Sequence, residues 1–139
     1  MNILQISPQI PFPLIDGGKV AIFNVTKHLA LRGHKITLVA LDVHKPQDVR
    51  ELCGYADLIR VPHSNKNSIP DACLNLFSDI PYNIAKYRSR KAEEELRNLL
   101  SRRSFDVVHI DQLHMAHYGL LCREIAGTPL VLRGLNVEA

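Results

Sequence analysis

The sequence lacks the features that mark most specialised protein classes. Its three cysteines, Cys53, Cys73 and Cys122, are odd in number and have neither CxxC nor His-pair spacing, which argues against a disulfide framework and against a zinc site. No apolar run approaches the roughly 18 residues that a membrane span needs. Met1-Asn2-Ile3-Leu4 enters a strand pattern without a basic n-region or a cleavage site, so a reduced, cytoplasmic setting is expected. There is no internal repeat, linker or low-complexity segment. The charge excess is small, a formal +3, which fits tolerance of anions rather than a dedicated nucleic-acid surface. Two phosphate motifs are missing as well. A dinucleotide fingerprint needs GxGxxG at a tight strand-to-helix turn, whereas here an eleven-residue loop, Ser7 to Gly17, carries one Gly pair; Asp42 at a strand end is weak support for a ribose contact. A P-loop fails because Pro13 stands at its first Gly position and Val20 at its Ser/Thr position.

What remains is a chain of 139 residues, 46% hydrophobic and 22% charged, enough for one domain with a real core and too apolar for disorder. Strand and helix patterns alternate along it. Ile3, Leu4 and Ile6 begin a buried strand (Asn2–Ser7), Lys35–Leu41 reads as a second, and Ile22, Val25 and Leu29 mark a helix between them that Gly33 stops. Asp57–Val61 is a short third strand after a weak helix near Gln47–Leu52, and His63–Ile80 reads as a loop with a short helix. From Tyr82 to about Arg103 the spacing predicts a helical stretch, breaking near Ser89 if it is two helices, with Ile84, Tyr87, Leu96, Leu99 and Leu100 on its apolar side. Asp106–Ile110 is a fourth strand, Met115–Ile125 a helix stopped by Gly127 and Pro129, and Pro129–Arg133 the last strand. Such alternation predicts an α/β, doubly wound parallel sheet with right-handed crossovers.

In sheets of this kind ligands bind at the carboxyl ends of the strands. Four tips are polar there: Ser7–Gly18, Asp42-Val43-His44, Asp111–His114 and Arg133–Glu138. In the first, Gly17 and Gly18 let a ligand approach the backbone, the first amides of the helix favour an anion, and Lys19 adds charge; the alternative is that the Gly pair only turns the chain. Asp111 could act at the site or cap the helix that follows. His109 reads as a packed, hydrogen-bonded strand residue, and His114 as either a site or a surface residue. Arg133, Asn136 and Glu138 line the cleft or merely end a strand.

The Gly17-Gly18 junction, Leu31-Arg32-Gly33-His34-Lys35-Ile36-Thr37-Leu38-Val39, Phe105-Asp106-Val107-Val108-His109-Ile110-Asp111 and Leu132-Arg133-Gly134-Leu135-Asn136-Val137-Glu138 together resemble the amino-terminal half of group 1 (family 4, retaining) glycosyltransferases, which have two Rossmann domains in the GT-B arrangement. The last block resembles a family motif commonly written Arg-x-His-Asn-x-Glu, with Leu135 in place of the His; Val20 stands where several members are polar. The resemblance implies a Rossmann-like sheet in the order 3-2-1-4-5. It also implies that residues 1–139 are an acceptor-side domain, itself incomplete, and that the donor-binding carboxyl-terminal domain, with its Glu-x7-Glu motif, lies outside the chain. Transfer from a nucleotide-diphosphate sugar to a saccharide or lipid-linked acceptor follows, without cofactor or metal. In that scheme Gly17, Gly18 and Lys19 meet the donor phosphates, Asp111 orients the acceptor hydroxyl, and Gln112, His114, Arg133, Asn136 and Glu138 line the cleft. Lys86, Arg88, Arg90 and Lys91 invite a peripheral membrane reading, although Glu93, Glu94 and Glu95 suit a solvated face equally. The alternative to an enzyme is a non-catalytic Rossmann-type module that binds a nucleotide or sugar phosphate.

Overall fold

The computed structural model describes residues 1–42, 48–63 and 82–134. Expectations for His44, Cys73, Asn136, Glu138 and nearly all of the 63–80 stretch therefore lie outside the described residues. Five strands, β1 (Asn2–Ser7), β2 (Lys35–Asp42), β3 (Ala56–Pro62), β4 (Val107–Asp111) and β5 (Leu130–Arg133), form one sheet in the order β3-β2-β1-β4-β5, with every neighbouring pair parallel. The helices are α1 (Gly17–Leu31), α2 (Arg50–Cys53), α3 (Tyr82–Ala85), α4 (Arg90–Arg102) and α5 (Ala116–Ala126), with a 3-10 turn at Leu113–Met115 ahead of α5.

The near-continuous apolar runs of β1 and β2 reflect burial on both faces, as parallel sheets require. Successive side chains alternate between the faces. Leu4, Ile6, Val108 and Ile110 pack with Ala92, Leu96 and Leu99 of α4 and with Tyr118 and Cys122 of α5. Ile3, Ile36 and Leu38 pack on the other side with Phe23 of α1 and Leu52 of α2. Burying one such side chain contributes about 1.5–3 kcal/mol, so the two layers are the main source of stability. The stripe of α1 differs from the expected one: Ile22, Phe23 and Thr26 are buried, whereas Val25 and Leu29 are only partly covered. Phe23 takes the central place because Phe12 and Tyr55 meet its ring edge-on at 5.2 and 6.0 Å. Lys27 lays its ammonium over Phe23 and Tyr55, 5.7 and 5.4 Å from the ring centres.

The helix ends follow their capping chemistry. Asp16 caps α1, its carboxylate accepting from the Lys19 amide at 2.8 Å. Ser89 ends the α3 turn and caps α4 through the Ala92 amide, which is why the helical pattern breaks there. Gly33 (φ 85°) and Gly127 (φ 66°) take the left-handed conformation just past α1 and α5. The Tyr118 hydroxyl, buried in α5, donates to the Tyr87 carbonyl (2.6 Å) and accepts from the Ser89 amide (2.8 Å), tying the α3–α4 corner to α5. Burial pushes the Tyr118 phenol up to about 12. The Cys122 thiol is likewise buried and pushed up to about 12, which makes it an inert packing group.

One contact leaves no room for a side chain. A Cβ on Gly119 of α5 would lie 2.0 Å from Ile110 Cδ1 and 2.9 Å from its Cγ1. Gly119→Ala should therefore lower stability by about 1–3 kcal/mol through overpacking, despite the better helix propensity of alanine. A urea midpoint equal to that of the wild type would contradict this helix–strand contact.

Candidate functional site

The carboxyl edge of the sheet gathers the ends of β1, β2, β4 and β5. Beneath it lies a buried polar network on the α1 face of the sheet. Gln5 sits in mid-strand between Leu4 and Ile6, and β1–β4 pairing sets it beside His109. Its carboxamide oxygen accepts from Thr26 Oγ1 at 2.8 Å and its Nε2 donates to Asp111 Oδ2 at 2.7 Å. Asp111 stands in register with Arg133, whose Nε donates to Oδ1 at 3.0 Å and whose Nη2 lies 2.6 Å from the same oxygen. Arg133 Nη1 donates to the Ala21 carbonyl of α1 at 3.0 Å. The network thus joins β1, β4, β5 and α1. His109 Nδ1 lies 3.8 Å from Asp111 Oδ1, and burial, reinforced by Arg133 and opposed by Asp111, holds its imidazole below the usual range and neutral.

Asp111 has no exposed side-chain surface and both of its oxygens are engaged, so its carboxylate faces inward rather than toward the cleft. It does not cap the following turn, which has no side-chain cap. Arg133 is turned the same way, into the network. His109 is packed as expected, but its Nδ1 makes no hydrogen bond. His114 is buried rather than at the surface, its ring stacked on Tyr87 at 4.0 Å.

Above the network, two segments meet at Gly18. A methyl group built there would lie 3.2 Å from Asp16 Oδ1, 3.8 Å from Gln9 Nε2 and 4.0 Å from Gln112 Nε2. Gly18 is thus brought together with Gln112, while nothing lies within 4 Å of the equivalent position on Gly17. The Lys19 amide is already occupied by Asp16, leaving the Gly17 and Gly18 amides as the open donors of this helix start. Gln112 has a backbone that few non-glycine residues adopt, φ 74° and ψ 147°. It is pinned by its own amide donating to the Arg133 carbonyl (2.9 Å) and by the Met115 amide donating to its carbonyl (3.1 Å). Ile15, 76% exposed, and Leu113, 51% exposed, add an apolar fringe.

Three participants were missed in the sequence: Gln5, Thr26 and Gln9. Gln5 was detectable, since a glutamine inside a strand buried on both faces must find a partner. Thr26 and Gln9 carry no such signal. Of the basic stretch, Arg88, Arg90 and Lys91 are exposed, and Lys86 lies over the Tyr87 ring at 5.2 Å. No helix among the described residues is long and apolar enough to cross a membrane, and none of their His, Cys, Asp and Glu side chains form a group of three that could hold a metal. Two described concavities, of about 500 and 410 Å³, lie at the opposite edge of the sheet and involve none of the expected site residues.

His117, packed on Tyr118 at 3.8 Å, is held down to about 4, first by burial and then by Arg88 and His114. An unfolded histidine titrates near 6.5, so between those values the unfolded chain binds more protons. Stability is therefore complete above pH 6.5 and lost as pH falls toward 4. With solvent screening, His117 should account for about 1–2 kcal/mol of that loss. Urea midpoints at pH 7 and pH 4.5 for wild type and His117→Gln check this, and an unchanged pH dependence in the variant would refute it.

No protein-family model and no curated protein matches the chain. Solved structures do match it in fold. The C-terminal domain of a hydrogenase from Pyrococcus furiosus superposes with TM-score 0.65 at 18% identity, covering 94% of this chain and 89% of that one. The glycotransferase of kitacinnamycin gives 0.55 at 16% identity, over 94% of this chain and 29% of its own. Phytolacca americana UGT2, solved with UDP-2-fluoro-glucose and pterostilbene, gives 0.53 at 12% identity, over 96% and 30%. The chain thus spans about three-tenths of the length of these two glycosyltransferases. At such identities the likeness concerns the fold alone: a five-stranded parallel, Rossmann-like α/β sheet in the order 3-2-1-4-5, matching GT-B glycosyltransferase domains.

Proposed function

We propose that the chain is the acceptor-side domain of a retaining glycosyltransferase that moves a sugar from a nucleotide diphosphate to a saccharide or lipid-linked acceptor in polysaccharide or glycoconjugate synthesis. The observation that carries this reading is the meeting of Gly18, Gln9 and Gln112 at the carboxyl edge of a GT-B-like sheet, over the Asp111–Arg133 pair. Charge builds on the departing diphosphate, and fixed amide donors facing it lower the barrier. Gly17, Gly18 and the Lys19 side chain supply that end. Asp111 acts one step removed from the acceptor hydroxyl, by fixing the β4 tip that carries Gln112 and His114. Arg133 serves as its counter-ion, and Asn136 and Glu138, outside the described residues, are assigned to the cleft on the family resemblance alone. The apolar fringe of Ile15 and Leu113 suits an acceptor with a hydrophobic portion, and exposed Arg88, Arg90 and Lys91 suit contact with anionic lipid on the cytoplasmic face.

A second reading, a non-catalytic Rossmann-type binding module, is favoured by one finding: the hydrogenase domain that superposes on this chain has nearly the same extent. The two readings differ in an assay of the full polypeptide carrying this domain. Against a panel of nucleotide sugars, the enzyme releases nucleoside diphosphate, and Gly18→Val, whose side chain meets Asp16, Gln9 and Gln112, slows turnover far more than it lowers stability. Equal turnover in the two proteins would return the Gly pair to a turn-forming role, and binding without release would favour the module.

The 139-residue chain alone should bind a nucleotide sugar only in the millimolar range, near −4 kcal/mol, and transfer nothing. A few hydrogen bonds of about 0.5–1.5 kcal/mol each do not replace the roughly 7–11 kcal/mol that alignment in a closed two-domain cleft can supply. Micromolar binding in calorimetry, or any turnover, would contradict this.

A further inference from the structure

Two strand-end carboxylates stand on the α1 face of the sheet at its carboxyl edge, and the fold treats them differently. Asp111 has both oxygens met, by Gln5 and by Arg133. Asp42, the last residue of β2, has neither met: its Oδ1 is buried without a partner, and no hydrogen bond reaches either oxygen from the described residues. The Asp42 side chain is only 14% exposed, so it is not a solvated surface group. Its one counter-charge among the described residues is Arg60 of β3, whose Nη1 lies 3.9 Å from Oδ2, beyond hydrogen-bond length. The register pairs Ala40 with Arg60 and Asp42 with Pro62, which sets the Asp42 and Arg60 side chains on one face of adjacent strands. Arg60, 37% exposed, likewise donates to none of the described residues.

A buried polar group without a partner costs stability, and nearly all such groups in folded proteins are paired. Here an acceptor without a donor stands beside a donor fork without an acceptor, and the guanidinium side of the pair opens to solvent. That combination selects among ligands. A phosphate or carboxylate is repelled by the Asp42 charge, and an ammonium or metal ion by Arg60; a divalent cation also needs several more oxygens than one carboxylate supplies. A neutral hydroxyl both donates and accepts. Two of them on neighbouring carbons match the pair, and hydrogen bonds to charged partners are about twice as strong as neutral ones.

We propose that Asp42 and Arg60 bind a vicinal hydroxyl pair of a sugar ring, one hydroxyl donating to the Asp42 carboxylate and its neighbour accepting from the Arg60 guanidinium. The proposal rests on the saccharide-transfer reading above, in which such a diol comes either from the ribose of the donor or from a hexose. Its test is an NMR titration of the 139-residue chain at about 50 mM probe, suited to millimolar affinity, with methyl α-D-glucopyranoside, UMP and dUMP, read at the amides of Leu41, Asp42 and Val61 and at those of Gly17 and Gly18. Shifts at the β2–β3 tip with the glucoside assign the pair to a hexose; shifts there with UMP and not with dUMP, which lacks the diol, assign it to the ribose. Asp42→Asn should bind that probe about tenfold more weakly and Arg60→Gln about fivefold. Because the carboxylate makes no hydrogen bond that the variant would lose, Asp42→Asn should unfold at a Tm no lower than the wild type. A fall of about 3 °C or more would show that the fold itself holds Asp42, and would overturn the proposal. So would equal tip shifts with UMP and dUMP in the absence of any with the glucoside, or full affinity in both variants. If UMP moves Gly17 and Gly18 while no probe moves the tip, Asp42 binds no sugar and the phosphate end of the site stands. If no probe moves either set, the saccharide-transfer reading falls together with this proposal.

Discussion

A carboxylate with no exposed surface is costly in a protein interior unless its charge and its lone pairs are met. At Asp111 both are met by groups from different parts of the fold: Arg133 from β5 and Gln5 from β1, with Gln5 held in turn by Thr26 of α1. Removing one partner of such a pair costs about 3–5 kcal/mol because the other is left buried and uncompensated. An apolar replacement of the whole set could be as stable, so stability alone does not account for the network. Its effect is geometric: it fixes the middle of β1, the ends of β4 and β5 and one face of α1 relative to one another to within hydrogen-bond tolerance.

That constraint explains why the edge above it can be irregular. Aliphatic packing tolerates sliding, whereas the Arg133–Asp111 fork and the Gln5 amide do not, and the chain leaving β4 inherits their rigidity. Gln112 takes an unfavourable backbone, and the 3-10 turn at Leu113–Met115 then brings His114 down onto Tyr87. The same stack, with the Tyr118 hydroxyl bridging Tyr87 and Ser89, anchors the corner that carries the exposed Arg88. A polar core on one face of the sheet and an aromatic clasp on the other thus control a single strand tip.

The regular part of this design was legible in the sequence. Alternation of apolar runs located all five strands to within a residue or two, and the break at Ser89 and the stops at Gly33 and Gly127 follow from local capping chemistry. The sheet order was expected only from the family resemblance, and it is the one observed. The site was less legible because its groups act across strands. Asp111 and Arg133 were each recognised as polar strand ends, but that they face one another depends on β4–β5 register, which no local pattern encodes. Phe23 displaced Val25 and Leu29 at the centre of α1 because Phe12 and Tyr55, distant in sequence, close on it. Nothing local to the helix marks Gly119, and its necessity comes from Ile110 on another element.

The hydrogenase domain and the two glycosyltransferases share this sheet, so the fold by itself does not choose a chemistry. The choice depends on what stands at the carboxyl edge, and there donors and acceptors stand side by side. The Gln9 and Gln112 carboxamides and the Asp16 carboxylate approach Gly18, one Asp16 oxygen accepting from the amide it caps, whereas Asp111 is engaged below by Arg133 and Gln5. Asp16 stays exposed beside Gly18, so the edge presents a carboxylate as well as N–H groups, and the few side chains there, not the sheet, decide which ligand it takes.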